Sequence, residues 1–124
     1  MAKTVKDMLS AANVAVPTID QADARALIEA GNAVVVDVRD GPELLGGKVA
    51  GAIHVSRGMI EFRADPDMPT HNEAFDKSKT MILYCASGGR SALAGKVLID
   101  MGYTDVRNLG GFQAWVDDGG AVET

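Results

Sequence analysis

The chain reads as an α/β protein with a mostly parallel central sheet flanked by helices on both faces. Three observations predict it. Short apolar runs alternate with segments of helical spacing from one end of the chain to the other. The run Ala33-Val34-Val35-Val36-Asp37-Val38 is β-branched and continuous enough to be buried on both faces, as strands of parallel sheets are. A second run, Thr80-Met81-Ile82-Leu83-Tyr84, leads through a glycine-rich loop into a helix, the repeating unit of α/β layers.

Each element has its own signal. Val5, Met8, Leu9 and Ala12 form an apolar stripe on a first helix from Lys3 to Asn13, expected to bury that stripe against the protein's own body. Pro17 separates it from the rest, so residues 1–17 are read as a helical extension packed on a domain of residues 18–124. Asp20 is the N-cap of a helix through Ala22, Ala26, Leu27 and Ala30, stopped by Gly31-Asn32. After the valine-rich strand, Pro42 opens a short helix with Glu43, Leu44 and Leu45, which Gly46-Gly47 closes. Ile53 to Val55 is a short strand and Met59 to Arg63 a helical turn. Asp65 to Lys79, with two prolines and little periodicity, is a long surface loop with a helical turn around Glu73 to Phe75. Ser91 to Met101 carries Leu93, Val97, Leu98 and Met101 at helical spacing and ends at Gly102. A strand at Val106 to Leu109 and a helix at Phe112 to Val116 complete the alternation.

Composition narrows the function. With 47% hydrophobic and 23% charged residues the chain has the balance of a folded globule, and 124 residues suit one core. Twelve basic against seventeen acidic residues give a net charge of -5, which argues against nucleic acid or anionic lipid as a partner. No apolar run approaches the roughly 20 residues of a membrane span, and the start lacks a signal-peptide pattern, so a cytoplasmic protein without membrane association is expected. A single cysteine forms no internal disulfide, no Cys-x-x-Cys pair and no multi-cysteine zinc site. His54 and His71 have no partner at ligand spacing, so no metal site is expected.

That cysteine, Cys85, ends the second strand and opens the loop Ala86-Ser87-Gly88-Gly89-Arg90-Ser91. Such a loop aims backbone N–H groups and the positive end of a helix at its centre. A thiol there ionises well below its usual pKa of ~8.5, because the thiolate gains donors that the thiol does not use. Gly88 and Gly89 are expected to turn the loop inward through φ > 0. Arg90 is placed to brace the loop through a nearby carboxylate or to hold an anionic donor. Ser91 either caps the helix or donates to the sulfur, capping being the simpler reading. Asp37 and Arg39 end the central strand on the same side. They read as support: Arg39 lies four residues from Glu43, within pairing range, and Asp37 can tie down backbone N–H groups.

Three stretches together resemble the signatures of the rhodanese family of sulfurtransferases in its single-domain form, over roughly residues 18 to 120. Val36-Asp37-Val38-Arg39 with Glu43 and Gly51-Ala52-Ile53 is similar to the first signature. Tyr84-Cys85 through Arg90-Ser91 is similar to the active-site loop, and Leu109-Gly110-Gly111-Phe112-Gln113-Ala114-Trp115 to the closing one. Lys48-Val49-Ala50 departs from the His-Ile-Pro that often precedes Gly-Ala in the family. The resemblance implies a rhodanese-like fold and a sulfurtransferase that needs no cofactor. Cys85 would take the outer sulfur of thiosulfate or of a protein persulfide, hold it as a persulfide, and pass it to a thiophilic acceptor such as cyanide or a thiol.

Two other readings belong to different classes. One is a non-catalytic binding or sulfur-relay module that acts only with a partner protein. The other is a phosphatase or arsenate reductase built on a cysteine-to-arginine loop. Four residues, Ala86 to Gly89, separate Cys85 from Arg90, one fewer than in tyrosine-specific cysteine phosphatases.

Overall fold

The computed structural model describes residues 2–124. Helix α1, Val5–Ala15, begins at Thr4, whose Oγ accepts from the Asp7 N–H at 3.1 Å while the Asp7 carboxylate accepts from the Thr4 N–H at 3.0 Å. This reciprocal box satisfies two otherwise orphaned donors. Asp20 caps α2, Gln21–Glu29, by accepting from the Asp23 N–H at 2.8 Å. Strand β1, Ala33–Asp37, leads to a 3-10 segment at Gly41–Gly46, then to β2, Lys48–Val49, and β3, Ile53–His54. Helix α3, Ile60–Ala64, precedes β4, Thr80–Cys85, which feeds α4, Gly89–Asp100. Strand β5, Val106–Gly111, runs directly into α5, Phe112–Asp117, and β6 is Val122–Glu123.

The central sheet has the order β3-β1-β4-β5, and every pairing in it is parallel. Alternation along each strand divides the core in two. Val36 of β1 and Met81, Leu83 and Cys85 of β4 pack with Ile60 and Ala64 of α3 and Ala94 and Leu98 of α4. Val35, Ile82 and Tyr84 face the opposite way, towards Ala24 of α2 and Trp115 of α5. Helices therefore cover both faces, as expected. Fully burying each Val, Leu, Ile or Met side chain contributes roughly 1.5–3 kcal/mol, so two apolar layers on one sheet are the main source of stability.

Several expectations change. β2 pairs antiparallel with β6, a two-stranded addition at the chain's end that its polar sequence does not announce. Glu73 to Phe75 forms turns and no helix, although Phe75 is buried edge-on against Tyr103. The stripe on α1 is only partly covered: Ala12 is buried, whereas Val5 and Met8 are exposed. The close contact is made at the helix's end. A Cβ added to Gly95 of α4 would lie 3.0 Å from both methyl groups of Val16, so a glycine lets the two segments meet there.

Candidate functional site

β4 carries Cys85 to the carboxyl edge of the sheet, where its side chain is 0% exposed. The chain then reverses through Gly88, whose φ of 98° is in the left-handed region that favours glycine. That turn aims the Gly88 N–H at Sγ, 3.0 Å away, and starts α4 at the next residue. Gly89 is the first residue of α4 and does not have the positive φ expected of it. Ser91 lies inside the helix, so it is not the cap; its Oγ is 3.4 Å from Sγ. Burial pushes the Cys85 thiol up, but the Ser91 hydroxyl and the N–H groups of Ser91, Ser87 and Gly88 pull it further down, and the net shift is below the ordinary thiol value. The sulfur sits at a helix start, ringed by donors and shielded from water.

Arg90 is tied to the 3-10 segment. Its Nη1 and Nη2 donate to the two carboxylate oxygens of Glu43 at 2.6 and 2.9 Å. The Arg90 bond, helped by the Asp40 N–H, lowers Glu43 to about 2, and Glu43 in turn raises Arg90. Arg90 thus ties the loop after Cys85 to the 3-10 segment. The anticipated Arg39–Glu43 pair does not form; Arg39 reaches only the Glu43 backbone carbonyl, at 3.2 Å.

Arg39 pairs with Asp37 through Nε at 3.0 Å and Nη2 at 2.8 Å, both groups being buried. The same carboxylate accepts from the Arg39 N–H at 2.9 Å and from the Tyr84 hydroxyl at 2.6 Å. Burial pushes Asp37 up, and these bonds more than offset it, holding the carboxyl below its usual range. The Arg39 guanidinium also donates to the Gly47 carbonyl and lies 4.4 Å from the Phe112 ring centre. Asp37 and Tyr84 are cross-strand partners on the α2 and α5 face, whereas Cys85 faces α3 and α4. Asp37 and Arg39 thus order the carboxyl edge of the sheet without facing the sulfur.

Behind the loop stands the end of β5. Gly110 has φ 95°, and a Cβ on Gly111 would lie 2.5 Å from the Ala86 carbonyl oxygen, so the loop and β5 are in contact through backbone. Asn108 of β5 reaches the loop with its side chain, accepting from Ser91 Oγ at 2.8 Å and donating to the Gly88 carbonyl at 3.0 Å. Sequence reasoning missed it. The available signal was an amide inside the strand expected at Val106 to Leu109. A cleft of about 420 Å³ opens beside the loop, lined by Leu9 and Asn13 of α1, Thr18, Ser87, Gly88 and Asn108. Among the described residues no cluster of His, Cys, Asp and Glu is arranged to hold a metal ion, and no helix is long and apolar enough to cross a membrane.

The fold and site define an α/β layer protein that holds one buried thiol in a backbone cradle at the carboxyl edge of a parallel sheet. Residues 20–118 match the rhodanese-like domain. The chain belongs to the rhodanese-like family. It is 38% identical over 96 residues to thiosulfate sulfurtransferase GlpE of Pseudomonas fluorescens, covering 74% of this chain and 77% of the relative. It is 36% identical over 89 residues to chloroplastic thiosulfate sulfurtransferase 16 of Arabidopsis thaliana, covering 68% and 74%. A solved structure from Rhodopseudomonas palustris, described as a protein of unknown function and possible tyrosine phosphatase, superposes with a TM-score of 0.90 at 42% identity, covering 99% and 96% of the two chains.

Proposed function

We propose that this protein is a sulfurtransferase that carries a persulfide on Cys85. The observation that carries this reading is the buried Cys85 Sγ, 3.0 Å from the Gly88 N–H at the start of α4. The thiolate attacks the outer sulfur of thiosulfate or of a protein persulfide. An Sγ–S bond forms, the donor's S–S bond breaks, and sulfite or the donor thiolate leaves with the electron pair. Cyanide or a thiolate then attacks the outer sulfur, the Sγ–S bond breaks, and Cys85 returns as thiolate. Backbone N–H groups of Ala86 to Ser91 suit an anionic sulfur because they stabilise charge without filling the space with side chains. No cofactor takes part. Asp37 and Arg39 support the edge from which the loop springs, and residues 1–17, of which Met1 lies outside the described residues, form an extension on the domain of residues 18–124. A lone thiol used in this way fits the reducing cytoplasm.

The description of the Rhodopseudomonas palustris protein favours a second reading, phosphate-ester hydrolysis. Two observations weigh against it. Arg90 already has both terminal nitrogens engaged by Glu43. The loop also has one residue fewer than a ring built around a tetrahedral oxyanion.

Intact mass after incubation with thiosulfate, followed by cyanide, tests the proposal. One sulfur atom should be added and then released as thiocyanate, and Cys85→Ser should do neither while staying folded. Unchanged mass with thiosulfate and with a protein persulfide donor would remove the enzyme reading and leave a binding module.

A further inference from the structure

Asn108 is buried in β5, and each polar atom of its side chain is engaged. Oδ1 accepts from the Gly110 N–H at 3.0 Å and lies 2.8 Å from Ser91 Oγ, while Nδ2 donates to the Gly88 carbonyl at 3.0 Å. A backbone N–H only donates and a carbonyl only accepts, so these two partners fix which end of the amide is oxygen. The consequence falls on Ser91. An amide oxygen cannot donate, so the 2.8 Å contact uses the one proton of the Ser91 hydroxyl. With that proton committed, Oγ turns a lone pair towards Sγ, 3.4 Å away, and while Cys85 is protonated the S–H is the donor in that contact.

Ionisation reverses that arrangement. A lone pair facing a thiolate is repulsive, so the hydroxyl turns its proton onto the sulfur and leaves Asn108. Adding an outer sulfur moves the negative charge to that atom, Sγ becomes neutral, and the Ser91 proton returns to the amide. We propose that Asn108 is a positioning residue for the sulfur chemistry: its oxygen is the resting acceptor for a hydroxyl whose direction follows the charge on Cys85 Sγ, and its nitrogen pins the Gly88 peptide at the apex of the cradle. The inference rests on Cys85 being the reacting thiolate.

Several ion pairs lie on the surrounding elements, and Arg63 of α3 donates to the Thr70 carbonyl at 3.2 Å. Arg90 of α4 holds Glu43, Arg39 holds Asp37 at the end of β1, Arg57 holds Glu61 of α3, Lys96 holds Asp100 further along α4, and Arg107 of β5 holds Asp105. Helix α1 brings only Leu9 and Asn13 to the cleft beside the loop. None of these pairs includes Ser91 or the sulfur.

The test follows ionisation, not turnover. Absorbance at 240 nm, with Cys85→Ser as the blank, gives the thiol titration. Asn108→Asp keeps the shape, turns a donor into an acceptor towards the Gly88 carbonyl, and holds the Ser91 proton with a charge. It should raise the titration midpoint by about one pH unit or more, a tenfold loss of thiolate at fixed pH. In a Ser91→Ala background the same substitution should move the midpoint by less than half as far, because the hydroxyl that couples the two groups is gone. An unchanged midpoint, or equal shifts in the two backgrounds, would overturn the role through Ser91.

A second measurement needs no Asn108 variant. In the unaltered protein the side-chain amide resonances of Asn108 should shift with the same midpoint as the thiolate absorbance, and Ser91→Ala should abolish that shift. Resonances that stay flat through the thiol titration would defeat the proposal. Because neither readout uses a sulfur donor, failure to form thiocyanate would count against the sulfurtransferase reading alone.

Discussion

Gly111→Ala should damage the site through space alone. Gly111 has φ -98° and ψ 144°, extended backbone that any residue adopts, so conformation does not require glycine here. A Cβ at this position would lie 2.5 Å from the Ala86 carbonyl oxygen, 3.3 Å from its carbon and 3.5 Å from the Ser87 Cα. Restoring ordinary contact requires the end of β5 and the loop to part by about 1 Å. Forced backbone shifts of this kind cost about 1–3 kcal/mol, and the stiffer unfolded chain of alanine offsets ~0.4–1 kcal/mol of it. The net loss is about 1–2 kcal/mol, or a Tm lower by about 3–10 °C for a domain of this size. The same displacement acts on Ala86 and Ser87, which lead to the Gly88 N–H, and stretches that donor's bond to a sulfur now 3.0 Å away. Thiocyanate formation should fall at least ~tenfold, short of the ~10²–10³-fold that outright loss of an oxyanion-hole donor costs. Gly110 is the control, with φ 95° but nothing within 4 Å of an added Cβ. Gly110→Ala should lose about 1–2 kcal/mol to left-handed strain while keeping more of its transfer rate. Thermal unfolding by circular dichroism and thiocyanate assay on both variants decide the matter. A Gly111→Ala protein with unaltered Tm and transfer, or a Gly110→Ala protein with the poorer transfer, would refute the packing account.

Three further outcomes are expected. Asp37 has its pKa lowered in the folded protein from 3.8, so its contribution is full above about pH 4 and is lost as pH falls through 3.8 and then through the folded value. Asp37→Asn should cost about 3–5 kcal/mol near neutral pH by stranding the buried Arg39, and should flatten the acid limb of stability; urea midpoints from pH 2 to 7 that run parallel to the parent's would contradict this. Gly88→Val forces a β-branched residue into φ 98° and should suppress persulfide formation measured by intact mass, full loading being the contrary result. Aryl phosphate hydrolysis should stay negligible from about pH 5 to 8 in preparations that transfer sulfur, because the terminal nitrogens of Arg90 are held by Glu43. Cys85-dependent phosphate release faster than sulfur transfer would move the protein to the phosphatase class.

What could be read from the sequence was what local patterns encode. Burial on both faces of Ala33–Asp37 and Thr80–Cys85 is written in their apolar runs, and the cap at Asp20 obeys a short-range rule. The loop after Cys85 was legible for the same reason: a lone thiol, two glycines and a helix stand in one contiguous stretch. Partners distant in sequence were not. Arg39 is four residues from Glu43, which suggested an ion pair, but Asp37 shares its buried face and Glu43 is taken by Arg90, 47 positions away. Asn108 reaches Ser91 only because β5 lies beside β4, a fact of topology. β6 has two exposed residues and finds β2 only when the fold has brought both to the same edge.

Tyr84 and Cys85 are neighbours in one strand, and alternation sends the first into the Asp37–Arg39 network and the second into the opposite layer. β4 therefore works as a partition. On one side lie the paired charges of Asp37 and Arg39; on the other lies the sulfur. The backbone between them is held by parallel neighbours along both edges. Consecutive residues thus serve an ion-pair network and a thiol in separate layers, and the strand that holds Tyr84 in place also aims the loop beyond Cys85.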